Sequence, residues 1–114
     1  FDPQSDFDTA TNNRYTPTKA GTYLVIGNTD IGSVADAKYA ETAIYKNGSG
    51  IKSYYNNMGV AESGSSCAIA ITSMNGTTDY LELFARHNHG SDRTAGHRAG
   101  RVNYLACHRL GTGD

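Results

Sequence analysis

The 114-residue chain has no tryptophan, only two prolines and two cysteines, and little leucine. Two cysteines are too few for a disulfide scaffold and lack the paired spacing of a zinc framework. Cys67 and Cys107 therefore read either as one bridge or as two small buried hydrophobes. No apolar run approaches the ~20 residues of a membrane-spanning helix, and no basic stretch leads into a short apolar one. Neither a helical span nor a secretory signal is present in the sequence, and membrane insertion is not expected. Apolar residues make up 38%, under the roughly 45–50% of a soluble domain, and strong helix formers are sparse. In their place stand glycine, serine, threonine, asparagine and eight tyrosines, a composition of loops and strands. The length fits one domain over residues 1–114, with 1–14 as an extended N-terminal segment. Phe1 as first residue reads as a processed fragment or as one module of a longer protein.

The formal net charge of −1 conceals a split. Residues 1–85 carry five Lys/Arg against nine Asp/Glu, whereas residues 86–109 carry five Arg against Asp92 alone, together with all four histidines. Sorted charge of this kind marks two different surfaces. One basic segment on a near-neutral domain does not make a nucleic-acid interface, and none is expected.

Six runs favour strands: residues 22–26, 39–45, 51–55, 67–74, 80–87 and 101–110. Turn residues separate them, and Asn47-Gly48 is the firmest hairpin signal, because both residues accept the positive φ of a type I′ turn. Asn75-Gly76 makes a similar corner. Turns at this spacing predict an all-β antiparallel sandwich or barrel. A short helical turn within residues 32–43 is the one competitor, since Val34, Ala35, Ala37 and Ala40 fall on one helical face. Strands wet on one face should alternate apolar with polar residues. Tyr23-Leu24-Val25-Ile26 and Tyr104-Leu105-Ala106-Cys107 do not, so each needs a second cover: another copy of the chain, or a loop or the N-terminal segment. Cys67 shares a strand face with Ile69 and Ile71, and Cys107 shares one with Leu105, which predicts that both cysteines are buried within the sandwich.

Within residues 15–25, Tyr15, Gly21 and Tyr23 stand at the spacings of an aromatic signature, preceded by Phe7 and with Val25 at a position where Phe is usual. This stretch resembles the complement C-one-q globular head family, which shares its jelly roll with the tumour necrosis factor family. Residues 45–48, 76–83 and 102–110 match that pattern more loosely. The phrase Tyr15-Thr16-Pro17-Thr18, followed by Ala20-Gly21, is similar to versions in bacteriophage fibre, needle-knob and head-decoration proteins. The resemblance implies a jelly-roll β-sandwich of about eight to ten strands and a homotrimer, without catalysis. It implies a knob of a phage fibre, tail or capsid decoration on the virion surface, binding a host-surface glycan or protein receptor. A purely structural trimerisation cap and a secreted bacterial or animal ligand-binding module are the alternatives. Tyr23, Val25, Tyr104, Leu105, Ala106 and Cys107 are the resulting candidates for the trimer interface.

For ligand contact the candidates are Arg86, His87, His89, Arg93, His97, Arg98 and Arg101, because a long connection rich in cations suits an anionic or polar partner. Arg86-His87-Asn88-His89 spells part of a nuclease motif, but that chemistry needs a following helix, which the sequence does not offer. His87 and His89, two apart on one strand face, are weak transition-metal candidates, with His97 or Asp92 as a third ligand. Asp2, Asp6 and Asp8 are weak calcium candidates. Solvated side chains are the plainer reading of both sets, and no cofactor is expected. Asp79 with Glu82 lies three apart and Cys107 with His108 one apart, so neither pair shares a strand face for catalysis. Asn47-Gly48-Ser49 and Asn75-Gly76-Thr77 fit glycosylation acceptors but are better explained as turns.

Overall fold

The computed structural model describes residues 2–96 and 103–112. Its regular elements are all strands: β1 (Phe7–Asp8), β2 (Arg14–Tyr15), β3 (Gly21–Val34), β4 (Tyr39–Lys46), β5 (Ser49–Asn57), β6 (Glu62–Met74), β7 (Leu81–His87) and β8 (Tyr104–Gly111). They form two antiparallel sheets, one in the order β1-β2-β7-β4-β5 and the other β6-β3-β8. The two sheets face each other as in a β-sandwich, and the helical turn that residues 32–43 could have formed is replaced by the end of β3, a tight turn and the start of β4.

All six expected strands are present, several of them longer than their apolar runs. β3 continues through Gly27-Asn28-Thr29-Asp30, and β6 begins at Glu62, well before Cys67. These two turn-like stretches pair with each other, Thr29 opposite Ser66 and Asp30 opposite Ser65. Their polar groups are satisfied locally. Thr42 donates to the Ser66 carbonyl and accepts from the hydroxyls of Thr29 and Ser66. The fully buried Asp30 accepts from Ser65 Oγ at 2.6 Å and donates its backbone N–H to Asn103 Oδ1 at 2.8 Å. Buried polar groups without such partners would cost several kcal/mol, on the order of 1–3 each.

The main core gathers Tyr23, Val25, Ile44, Ala68, Ala70, Met74 and Leu81 between the sheets, and a second cluster joins Ile31, Val34, Ala40 and Met58. The Tyr23 ring is buried while its hydroxyl donates to the Lys19 carbonyl at 2.8 Å. At mid-length the sheets come very close: a Cβ on Gly27 would lie 2.5 Å from Leu83 Cδ1. Only small residues fit there, and Ala68, the β6 partner of Gly27, supplies one.

That close approach decides which residues of β6 turn inward, against the expectation from hydrophobicity. Cys67, Ile69 and Ile71 do not point into the core; they are exposed on the outer face of β6, while Ala68 and Ala70 point inward. Both cysteines are free thiols.

Turn chemistry closes one end of the molecule. Asn47 and Gly48 adopt φ of 51° and 78°, as the hairpin between β4 and β5 requires. Between β6 and β7, Asn75 Oδ1 accepts the N–H groups of Thr77, Thr78 and Asp79. Gly76 follows at φ 72°, where an added Cβ would lie 2.3 Å from the Ala20 nitrogen. At the opposite side β8 pairs with β3 alone among the described residues, so its other backbone edge carries no neighbouring strand. Beside that edge a cleft of about 800 Å³ is lined by Phe7, Tyr15, Leu83, Leu105 and Cys107 among others.

Candidate functional site

Strand alternation separates the first members of the segment that begins at Arg86. Arg86 projects from the outer face of the five-stranded sheet, whereas His87, the next residue, points to the other face and is half-buried. His87 Nδ1 accepts the N–H of His89 at 3.2 Å, and His89 Nδ1 accepts the N–H of Ala35 at 2.9 Å. Desolvation, with the nearby Arg93, His87 and Lys38 adding to it, lowers the pKa of His89 below the ordinary imidazole value. The connection then folds back against β3: Gly32 donates to Thr94, Gly96 donates to Asp30, and Ala95 bridges to Ile31. Arg93 is half-buried, with Nη1 on the Asp92 carbonyl at 3.2 Å. His97, Arg98 and Arg101 lie outside the described residues.

The histidine rings are 6.5 Å apart, but among the described residues no three His, Cys, Asp or Glu side chains converge as metal ligands. Asp2 and Asp8 serve their own turns instead. Asp2 accepts from the backbone of Phe7 and Asp6, Asp8 from that of Thr11, Ala10 and Asn12, and these bonds hold both carboxyls below their ordinary pKa.

Arg86 belongs to a different constellation. Its Nε and Nη2 both reach Glu41 Oε2, at 2.7 and 2.6 Å, and the Glu41 side chain is almost wholly buried. The carboxylate's hydrogen bond and charge raise the guanidinium pKa further and fix its plane. On the same sheet face β4 places Tyr39, Glu41, Ala43 and Tyr45 at every second position, with Tyr55 and Ser53 of β5 on one side and Arg86 and Phe84 of β7 on the other. Tyr39 and Tyr55 meet edge to face at 5.1 Å, and Tyr45 and Phe84 are tilted together at 4.6 Å. Beside Tyr45 lies a shallow trough of about 390 Å³, lined by Glu41, Ala43, Tyr45, Ile51, Ser53 and Arg86 among others. Of this set only Arg86 was a sequence candidate. The signal for the rest was the two-residue period of Tyr39, Glu41, Ala43 and Tyr45, which core burial explained equally well before the faces were known.

The interface candidates divide in the same way. Tyr23 and Val25 point into the core, and Leu105 and Cys107 pack partly against it. Tyr104 and Ala106 point outward and are exposed. Their outer-face companions are Leu24 and Ile26 of β3, which alternation within an all-apolar run could not distinguish from Tyr23 and Val25. Leu24 lies opposite Ile71 and His108, and Ile26 opposite Ile69 and Ala106. Ile69 and Ile71 are 55% and 68% exposed. The outer face of the three-stranded sheet thus carries an apolar patch of Ile71, Leu24, Ile69, Ile26 and Ala106, bordered by the polar Asn28 and His108.

Compared with known proteins, the chain matches no family model, no curated protein and no solved structure.

Proposed function

We propose that the chain is a non-enzymatic jelly-roll knob that assembles as a homotrimer through the outer face of its three-stranded sheet and presents its other sheet to a host-surface glycan or protein receptor. The observation that carries this reading is the uncovered apolar face formed by Leu24, Ile26, Ile69, Ile71, Tyr104 and Ala106. Ile69 and Ile71 keep more than half of their surface exposed, so covering each contributes ~1–2 kcal/mol and covering the half-buried Leu24 and Ile26 less, together still a sizeable share of the ~5–15 kcal/mol stability of a typical domain. Assembly on that scale is part of folding. Eight strands in two sheets, with β3 between β6 and β8 and β7 between β2 and β4, support the jelly-roll reading. The choice of three copies, and of a bacteriophage fibre, tail or decoration protein on the virion surface, rests on the resemblance carried by Tyr15, Gly21 and Tyr23.

Light scattering at micromolar concentration tests the assembly. The expected species has three times the 12.2 kDa mass of the chain; a folded monomer overturns assembly and a dimer overturns the threefold. Ile71→Lys, which places a charge on the proposed contact, is expected to shift the population toward monomer. A purely structural cap assembles identically and binds no host surface, so binding to intact host cells separates the two roles.

A further inference from the structure

We infer that the unpaired edge of β8 and the cleft beside it bind an extended peptide of a partner protein as an added strand, with apolar residues at every second position facing inward and a hydrogen-bond donor beside Asp6. This goes beyond the knob reading. It uses the edge and the inner side of the three-stranded sheet, not the outer face proposed for assembly.

The two sheets are unequal on one side. β6 lies against β5 and β4, β3 against β4 and β7, and β8 against β7, so β1 and β2 have no strand opposite them among the described residues. The space left is the cleft of about 800 Å³ walled by Phe7, Tyr15, Leu83, Leu105 and Cys107. A second cavity of about 410 Å³ shares Tyr15 and Cys107 with it and reaches His108, Arg109 and Asp6. Together they follow β8 from Asn103 to Arg109, the length of a short strand.

Backbone direction determines which polar groups line that edge. Asp30 donates its N–H to Asn103 and accepts from Gly96 at its carbonyl, and Asn103 leads directly into β8, so these groups of Asp30 point to the β8 side of β3. Alternation then turns Asn28, Ile26 and Leu24 toward their β8 partners Tyr104, Ala106 and His108. The N–H and C=O groups of Leu105, Cys107 and Arg109 are left directed at the free edge, and no side chain among the described residues bonds to them. The opposite edge of the same sheet is capped: the Ser65 and Ser73 carbonyls of β6 accept from Asn56 Nδ2 at 3.1 Å and Lys46 Nζ at 2.6 Å. Edges are ordinarily blunted by such cover, by lysine or proline, or by brevity. The eight residues of β8 include neither lysine nor proline.

A peptide strand antiparallel to β8 meets all of these groups. Its residues opposite Leu105 and Cys107 share their inward face, so apolar side chains there fill the cleft. Its first residue, opposite Arg109, lies at the end where Asp6 stands, 9% exposed, with Oδ1 buried and without a hydrogen-bond partner among the described residues. A serine hydroxyl supplies the missing donor. A second copy of β8 fits worse: centred on Cys107, it lays Arg109 across Leu105 and brings a guanidinium into the apolar cleft.

The probe is an acetylated heptapeptide with serine first, valine at every second position after it and threonine between. Titrated into the assembled protein and followed by proton–nitrogen correlation, it is expected to shift residues 6–7, 15 and 103–109, with Kd near ~0.1–1 mM. Amide exchange at Leu105, Cys107 and Arg109 slows in the complex. N-methylation of the valines, whose amides face β8, abolishes binding, whereas N-methylation of the threonines preserves it. Asp6→Ala weakens binding about three- to tenfold and does not lower the melting temperature of the free protein, where the side chain has no partner to lose. No shifts at ~5 mM peptide, shifts centred elsewhere, equal binding of the two methylated peptides, or unchanged binding by Asp6→Ala each overturn the inference. So does slow exchange at the three amides before peptide is added, the mark of a second copy on the edge. Scattering on the same sample reports assembly separately, so a chain that assembles but ignores the peptide loses this site and keeps the knob reading.

Discussion

Asp79 ties two turns together with one carboxylate. It accepts from Asn47 Nδ2 at 2.8 Å and from the Asn75 N–H at 3.0 Å, and it pairs with Lys46 Nζ at 3.1 Å. Hydrogen bonds from Asn47 and Lys46, the largest causes, hold its pKa below the ordinary carboxylate value of 3.8. A depressed folded pKa means the stabilisation is fully present above the unfolded value and is lost as pH falls through the folded one. Asp79→Asn is therefore expected to melt lower than the parent at neutral pH, with the gap closing below about pH 4. A melting series from pH 7 to 2 checks it, and a constant gap refutes it. At this scale the sequence was a good guide where one residue dictates one geometry. Asn47-Gly48 turned where its chemistry says it must, whereas nothing in Glu41 alone announced that it would be buried under Arg86.

The elements show where hydrophobicity misleads. Ile69 and Ile71 are the most apolar residues of β6, and a strand read by hydrophobicity alone turns them inward. The sheets, however, meet across Gly27 and Leu83 with no room for them, so Ala68 and Ala70 take the inner positions. The legible clue was a row of small residues, Gly27 beside Ala68, and it was weaker than two isoleucines. β1 and β2 went unseen because two residues carry no period. The polar halves of β3 and β6 resembled turns because each strand is the other's partner, and pairing is not written in either alone. Two glycines make this scale testable. Gly27→Ala meets the tip of Leu83, a side chain that can rotate, and should cost about 1–3 kcal/mol. Gly76→Ala meets the Ala20 backbone at φ 72°, with no such escape, and should cost more. Urea titrations rank them, and the reverse order refutes this packing.

For the molecule as a whole the two thiols test the proposed assembly. Burial pushes the Cys107 thiol up to about 12, so at pH 8 its thiolate fraction is on the order of one in ten thousand. Cys67 is exposed on the outer sheet face opposite Asn28. A thiol reagent should label Cys67 rapidly in an Ile71→Lys monomer and slowly in the assembled parent, with Cys107 slow in both. Equal Cys67 rates in the two would remove that face from the contact. The three-stranded sheet has one further property. β3, near the start of the chain, pairs Tyr23 with Arg109 and Asn28 with Tyr104 in β8, near its end. Loop closure over such a span must precede the contacts that reward it, which places folding among the slower, millisecond-to-second β topologies. During synthesis the sheet cannot close until β8 has left the ribosome. Until then the inner-face residues Tyr23 and Val25 lack the cover that Leu105 and Cys107 of β8 give them, so the half-built sheet shows apolar surface on both of its faces.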